Sequence, residues 1–136
     1  ICGSMSFAKD MISVKQKLEK LGHIANVPLD IESHIANPDL IDDLASDYKH
    51  AQENNILKKC FNLIAKSDAI LVLNHEKNGI KGYVGTSSLM EIGLAYYLNK
   101  KIFLLNPLPD SNSYRWVHEV EIMQPVIIDG EIGKIK

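Results

Sequence analysis

Apolar residues recur at three- and four-residue spacing from Ser6 to Leu21, at Phe7, Met11, Val14, Leu18 and Leu21. That spacing predicts an amphipathic helix, with Gly22 as its terminator. "ICGS" before it reads as a strand end and a tight turn, and "HIANVPLD" after it as a short second strand ending near Pro28. In "ANPDLIDDL", Asn37 is placed as a helix cap and Pro38 at the first helical position. The polar run "SDYKHAQENN" either continues that helix or separates it from the helical "ILKKCFNLIAKSD". Ala69 to Asn74 is a continuous apolar run of strand length, as in a parallel strand covered on both faces. After the polar loop "HEKNGIKGYVG" come a helix, "TSSLMEIGLAYYLN", a strand, "KIFLLN", and a Pro-rich loop. The helix "SYRWVHEVEIM" and a last strand, "PVIID", complete the order.

Strands and helices thus alternate about five times without a repeat or low-complexity segment. The expectation is one three-layer α/β domain spanning residues 1–136, with a parallel sheet flanked by helices. Ligands of such sheets bind beyond the carboxyl ends of the strands. Three loops converge there: "CGSMS", "NHEKNGIKGYVGTSS" and "NPLPDSNSY".

Composition narrows the partners. The chain has 136 residues, 46% hydrophobic and 24% charged, which is ordinary for a globular domain. A net charge of −2 without a basic run argues against nucleic acid or an anionic membrane as partner, while leaving room for one bound nucleotide. No apolar stretch approaches the roughly 20 residues of a membrane span. Cys2 and Cys60 have no paired-ligand spacing and read as buried thiols of a cytoplasmic protein. The abrupt opening "ICGSM" reads as the end of a strand whose first residues precede Ile1, which leaves N-terminal targeting unread.

Two constellations could carry chemistry. Gly3, Ser4 and Ser6 follow the first strand at a helix start, where N–H groups and hydroxyls suit a phosphate or another anion. An ordinary serine cap explains the same residues equally well, and neither a Walker A loop nor a dinucleotide fingerprint is present. The second is Glu91, a carboxylate among Leu89, Ile92, Leu94, Ala95 and Tyr96, with Gly85 and Gly93 read as allowing close backbone approach. In apolar surroundings it serves as a general acid or as a nucleophile toward an anomeric carbon. A surface glutamate in the first turns of its helix is the even alternative. The remaining candidates carry less. His23, His34, His50, His75 and His118 are dispersed, so no metal site is expected, and no motif calls for a cofactor. His75 and Glu76 read as solvated loop residues at the mouth of the third strand, Tyr83 as a modest base-stacking candidate, and Trp116 as core.

"ICGSM", "SDAILVLN" and "GTSSLMEIGLAYYLNKKIFLL" together resemble the nucleoside 2-deoxyribosyltransferase family, which includes the 2′-deoxynucleoside 5′-monophosphate N-glycosidases. The resemblance covers Ile1 to Asn106 and is most specific at Ser67–Asn74 and Gly85–Leu105. It implies a flavodoxin-like five-stranded parallel sheet of order 2-1-3-4-5. It also implies that Glu91 is the catalytic nucleophile, attacking C1′ of the deoxyribose and expelling the base. Gly3, Ser4, Ser6, Asn74, Gly85, Ser87 and Ser88 would bind substrate, with a phosphate meeting Ser4, Ser6 and Ser87 or Ser88. Members complete their sites from a neighbouring subunit, so a homo-oligomer is implied. The nearly all-round apolar helix after Gly85 points the same way. Two family aspartates are missing: Cys60 stands eight residues before Asp68, and Gly85 six before Glu91. A thiol, with an ordinary pKa of about 8.5, is no substitute for a carboxylate at neutral pH. Either Asp47, Glu53 or Glu76 supplies that group, or catalysis is reduced. The alternative function is therefore a nucleoside- or nucleotide-binding module that has lost the chemistry.

Overall fold

Residues 69–73 and 102–104 are apolar throughout because both faces of the sheet they form are covered. The computed structural model describes Ile1–Lys136 apart from the Leu40 side chain. At its centre β2 (Ala69–Leu73) pairs in parallel with β3 (Lys101–Leu104), in register from Ala69 opposite Lys101 to Val72 opposite Leu104. Short β1 (Cys2–Gly3) joins the free side of β2, with Cys2 opposite Val72, and β4 (Val126–Ile127) joins β3. The order is β1-β2-β3-β4, all parallel.

Side chains of the central strands alternate between two cores. Leu71, Leu73, Phe103 and Leu105 pack with Met11, Val14 and Leu18 of α1 (Ala8–Lys20). Ile70, Val72, Ile102 and Leu104 pack on the other face, with Ile64 of α4 (Ile56–Lys66), Ile92 and Ala95 of α5 (Thr86–Tyr97) and Val120 of α6 (Arg115–Ile122). The protein is therefore an α/β domain with helices on both faces of a parallel sheet. Among the described residues no helix is long and apolar enough to cross a membrane.

The sheet has four strands where five were expected. His23–Pro28 makes no ladder with β1, and the Ile1 amino group donating to the Asn26 carbonyl at 2.7 Å is the backbone contact between them. Pro28 has no N–H to give a ladder. The chain instead turns there, with the Ile31 N–H donating to the Pro28 carbonyl at 3.1 Å as α2 (Ile31–Ala36) begins. Asn37 does not act as a side-chain cap, and Pro38–Ile41 is a 3₁₀ turn. The next helix, α3 (Leu44–Asn54), is capped by Asp43, whose carboxylate accepts from the Ser46 N–H at 3.1 Å and hydroxyl at 2.7 Å. Those bonds hold the Asp43 carboxyl below its usual range. Asn55, left-handed at φ 53°, then separates α3 from α4.

Candidate functional site

The carboxyl ends of three strands set the frame. β1 ends at Gly3, whose added Cβ would sit 3.0 Å from Met11 Cε and 3.1 Å from the Leu73 carbonyl oxygen. The close approach expected at Gly85 and Gly93 is found here instead: a Cβ on Gly93 meets nothing within 4 Å, and one on Gly85 only the Tyr83 ring at 3.6 Å. Beyond β2 stands Asn74, fully buried. Its amide donates to the Asn106 carbonyl at 2.7 Å and accepts from the Asn106 N–H at 2.8 Å, tying the ends of β2 and β3 together. Asn74 is thus a structural clamp in the wall of the site, with one donor and one acceptor already used.

The loop after Asn74 is a small hairpin. Lys77 and Ile80 exchange backbone hydrogen bonds of 3.1 and 3.0 Å around Asn78-Gly79, both at positive φ. This fold returns Lys77 over the end of β1, where its Nζ donates to Ser4 Oγ at 2.9 Å and lies 5.6 Å from the Tyr83 ring centroid. Ser4 Oγ in turn accepts from the Ser6 N–H at 3.3 Å and lies 3.2 Å from Ser6 Oγ. His75 packs edge-on against Phe7, and its buried Nε2 has no hydrogen-bond partner, with Asp10 Oδ2 at 3.7 Å. Beside this cluster, between the ends of β2 and β3, opens a crevice of about 640 Å³ walled by Asn74, His75, Gly82, Asn106, Pro107 and Tyr114.

Glu91 lies deeper, two turns into α5, and is 9% exposed. It lies on the side of α5 toward β1, where the Cys2 thiol works against the effect of burial on its carboxyl. It lines a second cavity of about 490 Å³, shared with Cys2, Cys60, Pro28, Asp68 and Ala69. The predicted site is thereby divided. Gly3, Ser4, Ser6 and Asn74 gather at the strand ends, while Glu91 lies beneath them, level with Cys2 and Val72. Gly85 precedes the first turn of α5; Ser87 is exposed there and Ser88 is buried.

Burial pushes the Glu91 carboxyl above its usual range; the Cys2 thiol opposes that, and the charge of Asp30 adds to it. Burial also pushes Cys2 far up and Cys60 to about 11, with the Glu91 carboxylate contributing to both. Both thiols are therefore protonated at neutral pH. Neither can stand in for a carboxylate as an acceptor.

No family model, curated protein or solved structure matches the chain. The residues themselves carry the functional reading.

Two neighbours of the predicted residues, Lys77 and Asp30, escaped the sequence reading. Lys77 is one residue before an Asn-Gly pair, a hairpin signal that would have turned it back toward Ser4. The charge of Asp30 adds to the effect of burial on Glu91. The sequence signal for Asp30 was the four-residue spacing to His34, a helical neighbour distance. Among the described residues no group of three or more His, Cys, Asp or Glu side chains could hold a metal ion.

Proposed function

We propose that the protein cleaves the N-glycosidic bond of a 2′-deoxynucleoside 5′-monophosphate, or transfers its sugar, as the nucleoside 2-deoxyribosyltransferases and related N-glycosidases do. The observation that carries the reading is Glu91: a carboxylate buried in an apolar helix and lining a cavity. An ionised Glu91 oxygen forms a bond to C1′ as the C1′–N bond breaks, and the base leaves with the bonding electron pair and takes its proton from water. Water or a second base then attacks C1′ and releases the carboxylate. Lys77, Ser4 and Ser6 favour the monophosphate over the nucleoside, since one cation and two hydroxyls suit a phosphate dianion. The same reading relates the sheet to the flavodoxin-like order 2-1-3-4-5, with residues 23–28 running unpaired at the edge beside β1, where the second strand of that order lies. Two free cysteines accord with a reducing cytoplasm.

The test is a panel of deoxynucleosides and their 5′-monophosphates, assayed chromatographically for free base beside calorimetric binding. Base release from monophosphates, weakened in Lys77→Gln and unchanged for nucleosides, is the expected result. The second reading, a binding module without chemistry, is favoured by Cys60, a neutral thiol where the family has an aspartate. Binding across the panel with no base released would establish it instead.

The family likeness also implies a homo-oligomer. Met90, Tyr96 and Tyr97 of α5 stand 44%, 53% and 80% exposed, an apolar surface suited to a second copy of the same helix. Sedimentation at micromolar concentration should give a dimer or larger species, and Tyr97→Glu should shift it toward monomer. A wild-type monomer there rules the assembly out.

A further inference from the structure

The ladder between β1 and β2 covers only the carboxyl-terminal part of β2. Cys2 stands opposite Val72 and Gly3 opposite Leu73, and the pairing goes no further back. The Asp68 and Val72 carbonyls accept from the Lys101 and Leu105 N–H groups at 3.3 and 3.0 Å, so these even-numbered residues point toward β3. Backbone groups alternate sides along a parallel strand, which turns those of Ala69 and Leu71 toward β1. Among the described residues neither the Ala69 groups nor the Leu71 N–H has a backbone partner there. Residues 23–28 run along the far side of this gap. Ala25 and Val27 pack into the α1 core while Ile24 and Asn26 are exposed, the alternation of an extended chain. The Asn26 carbonyl accepts from the Ile1 amino group at 2.7 Å, so Ile24 and Asn26 turn their backbone groups inward.

Between the two backbones lies the cavity of about 490 Å³. Both cores line it, with Leu18 and Phe103 on one face and Ile64 and Ile70 on the other. His23, Lys66 and Asp68 stand at its open end. The cavity is thus a slot with peptide groups along its two edges and apolar side chains on its two faces.

We infer that this slot is a docking site for one extended apolar peptide strand, seated in line with Ile1 and parallel to β2. The unmet donors and acceptors are backbone groups at strand spacing, which a peptide matches on both edges and a small molecule does not. Ile1 stands at the level of Leu71, so the levels of Asp68, Ala69 and Ile70 take three residues, about 10 Å of strand. The residue next to Ile1 shares the face of Cys2 and lies against Ile64. The second lies on the face of Ile1, against Leu18 and Phe103, and the third returns to the first face. All three positions call for apolar side chains. Glu91 lines the same cavity, and a docked strand closes it from the amino end of the sheet, leaving approach to Glu91 from the carboxyl ends. The inference does not depend on what Glu91 does there.

The probe is a synthetic peptide amide, Lys-Lys-Val-Ile-Val, with hydrogen exchange of the Ala69 and Leu71 amides read by NMR. At saturating peptide both amides should slow by roughly tenfold or more, the scale of one net backbone hydrogen bond, and Tm should rise. A control peptide ending in Asp, which sets a carboxylate against Ile64, should do neither. A second measurement joins the same five residues directly ahead of Ile1, which presents the strand at high effective concentration. Slowing in either presentation, absent with the Asp version, upholds the site. No slowing in either, or equal slowing with the Asp version, overturns it. Protection that appears without peptide as protein concentration rises assigns the slot to a second copy and also overturns it. Base release followed in the same samples tests the glycosidase reading separately, since its absence leaves the exchange result standing.

Discussion

Glu91→Gln is expected to end base release and, at the same time, to stabilise the fold at neutral pH. The activity loss follows from chemistry: an amide neither attacks C1′ nor leaves from it. Rates should fall by roughly 10³-fold or more, the scale on which a reacting side chain acts. The gain in stability follows from burial, which raises the folded-state pKa of Glu91 above its ordinary value of 4.5. Below that value the carboxyl is neutral in both folded and unfolded chains, and burial carries no charge penalty. As pH rises, the unfolded chain loses its proton first, so folding stability falls until the folded-state pKa is passed. Glutamine has nearly the same shape and never ionises. Thermal unfolding should therefore show the Gln variant above wild type at pH 8, with the difference closing near pH 4. A difference of the same size at both pH values would show that ionisation of Glu91 is not its source.

Gly82→Ala is expected to lower stability by on the order of 3 kcal/mol, or roughly 10 °C in Tm for a chain of this size. Gly82 holds φ +74°, and a Cβ there would lie 2.2 Å from the Pro107 carbonyl oxygen, far inside contact distance. The obstacle is backbone, not the end of a flexible side chain. Relief therefore requires the hairpin after β2 and the Pro107 loop to part, which opens the crevice and draws Lys77 away from Ser4. Gly79→Ala supplies the comparison, since Gly79 has the same φ of +74° with nothing within 4 Å of an added Cβ. It should lose only the conformational part, about 1 kcal/mol. Equal melting shifts for the two variants would refute the close packing of Gly82 on Pro107.

The layered architecture was legible because its signals are redundant. Residues 69–73 and 101–104 are apolar at every position but the exposed Lys101, a pattern that a strand buried on both faces tolerates, and α1 repeats its apolar face at Met11, Val14 and Leu18. What was missed depends on neighbours. Residues 23–28 have strand-like composition, yet a strand exists only with a partner ladder, and Pro28 and the turn into α2 deny one. Asn37-Pro38 and Asp43 are both good helix starts, and local pattern does not rank them. Glu91 is buried, one of the two readings its sequence left even, but its depth was not legible. Residue spacing places it near the strand ends, whereas the facing of α5 turns its carboxylate down to Cys2.

The central claim is that a sugar becomes bonded to Glu91. A 2′-deoxy-2′-fluoroarabino nucleoside 5′-monophosphate, whose electronegative substituent destabilises the cationic transition state of turnover, should leave the glycosyl-enzyme long enough to be weighed. Peptide mass spectrometry after brief incubation is expected to find the fluorinated sugar phosphate on the peptide containing Glu91, stoichiometric with base released and absent in Glu91→Gln. Labelling confined to a peptide without Glu91, or undiminished in Glu91→Gln, would contradict the account.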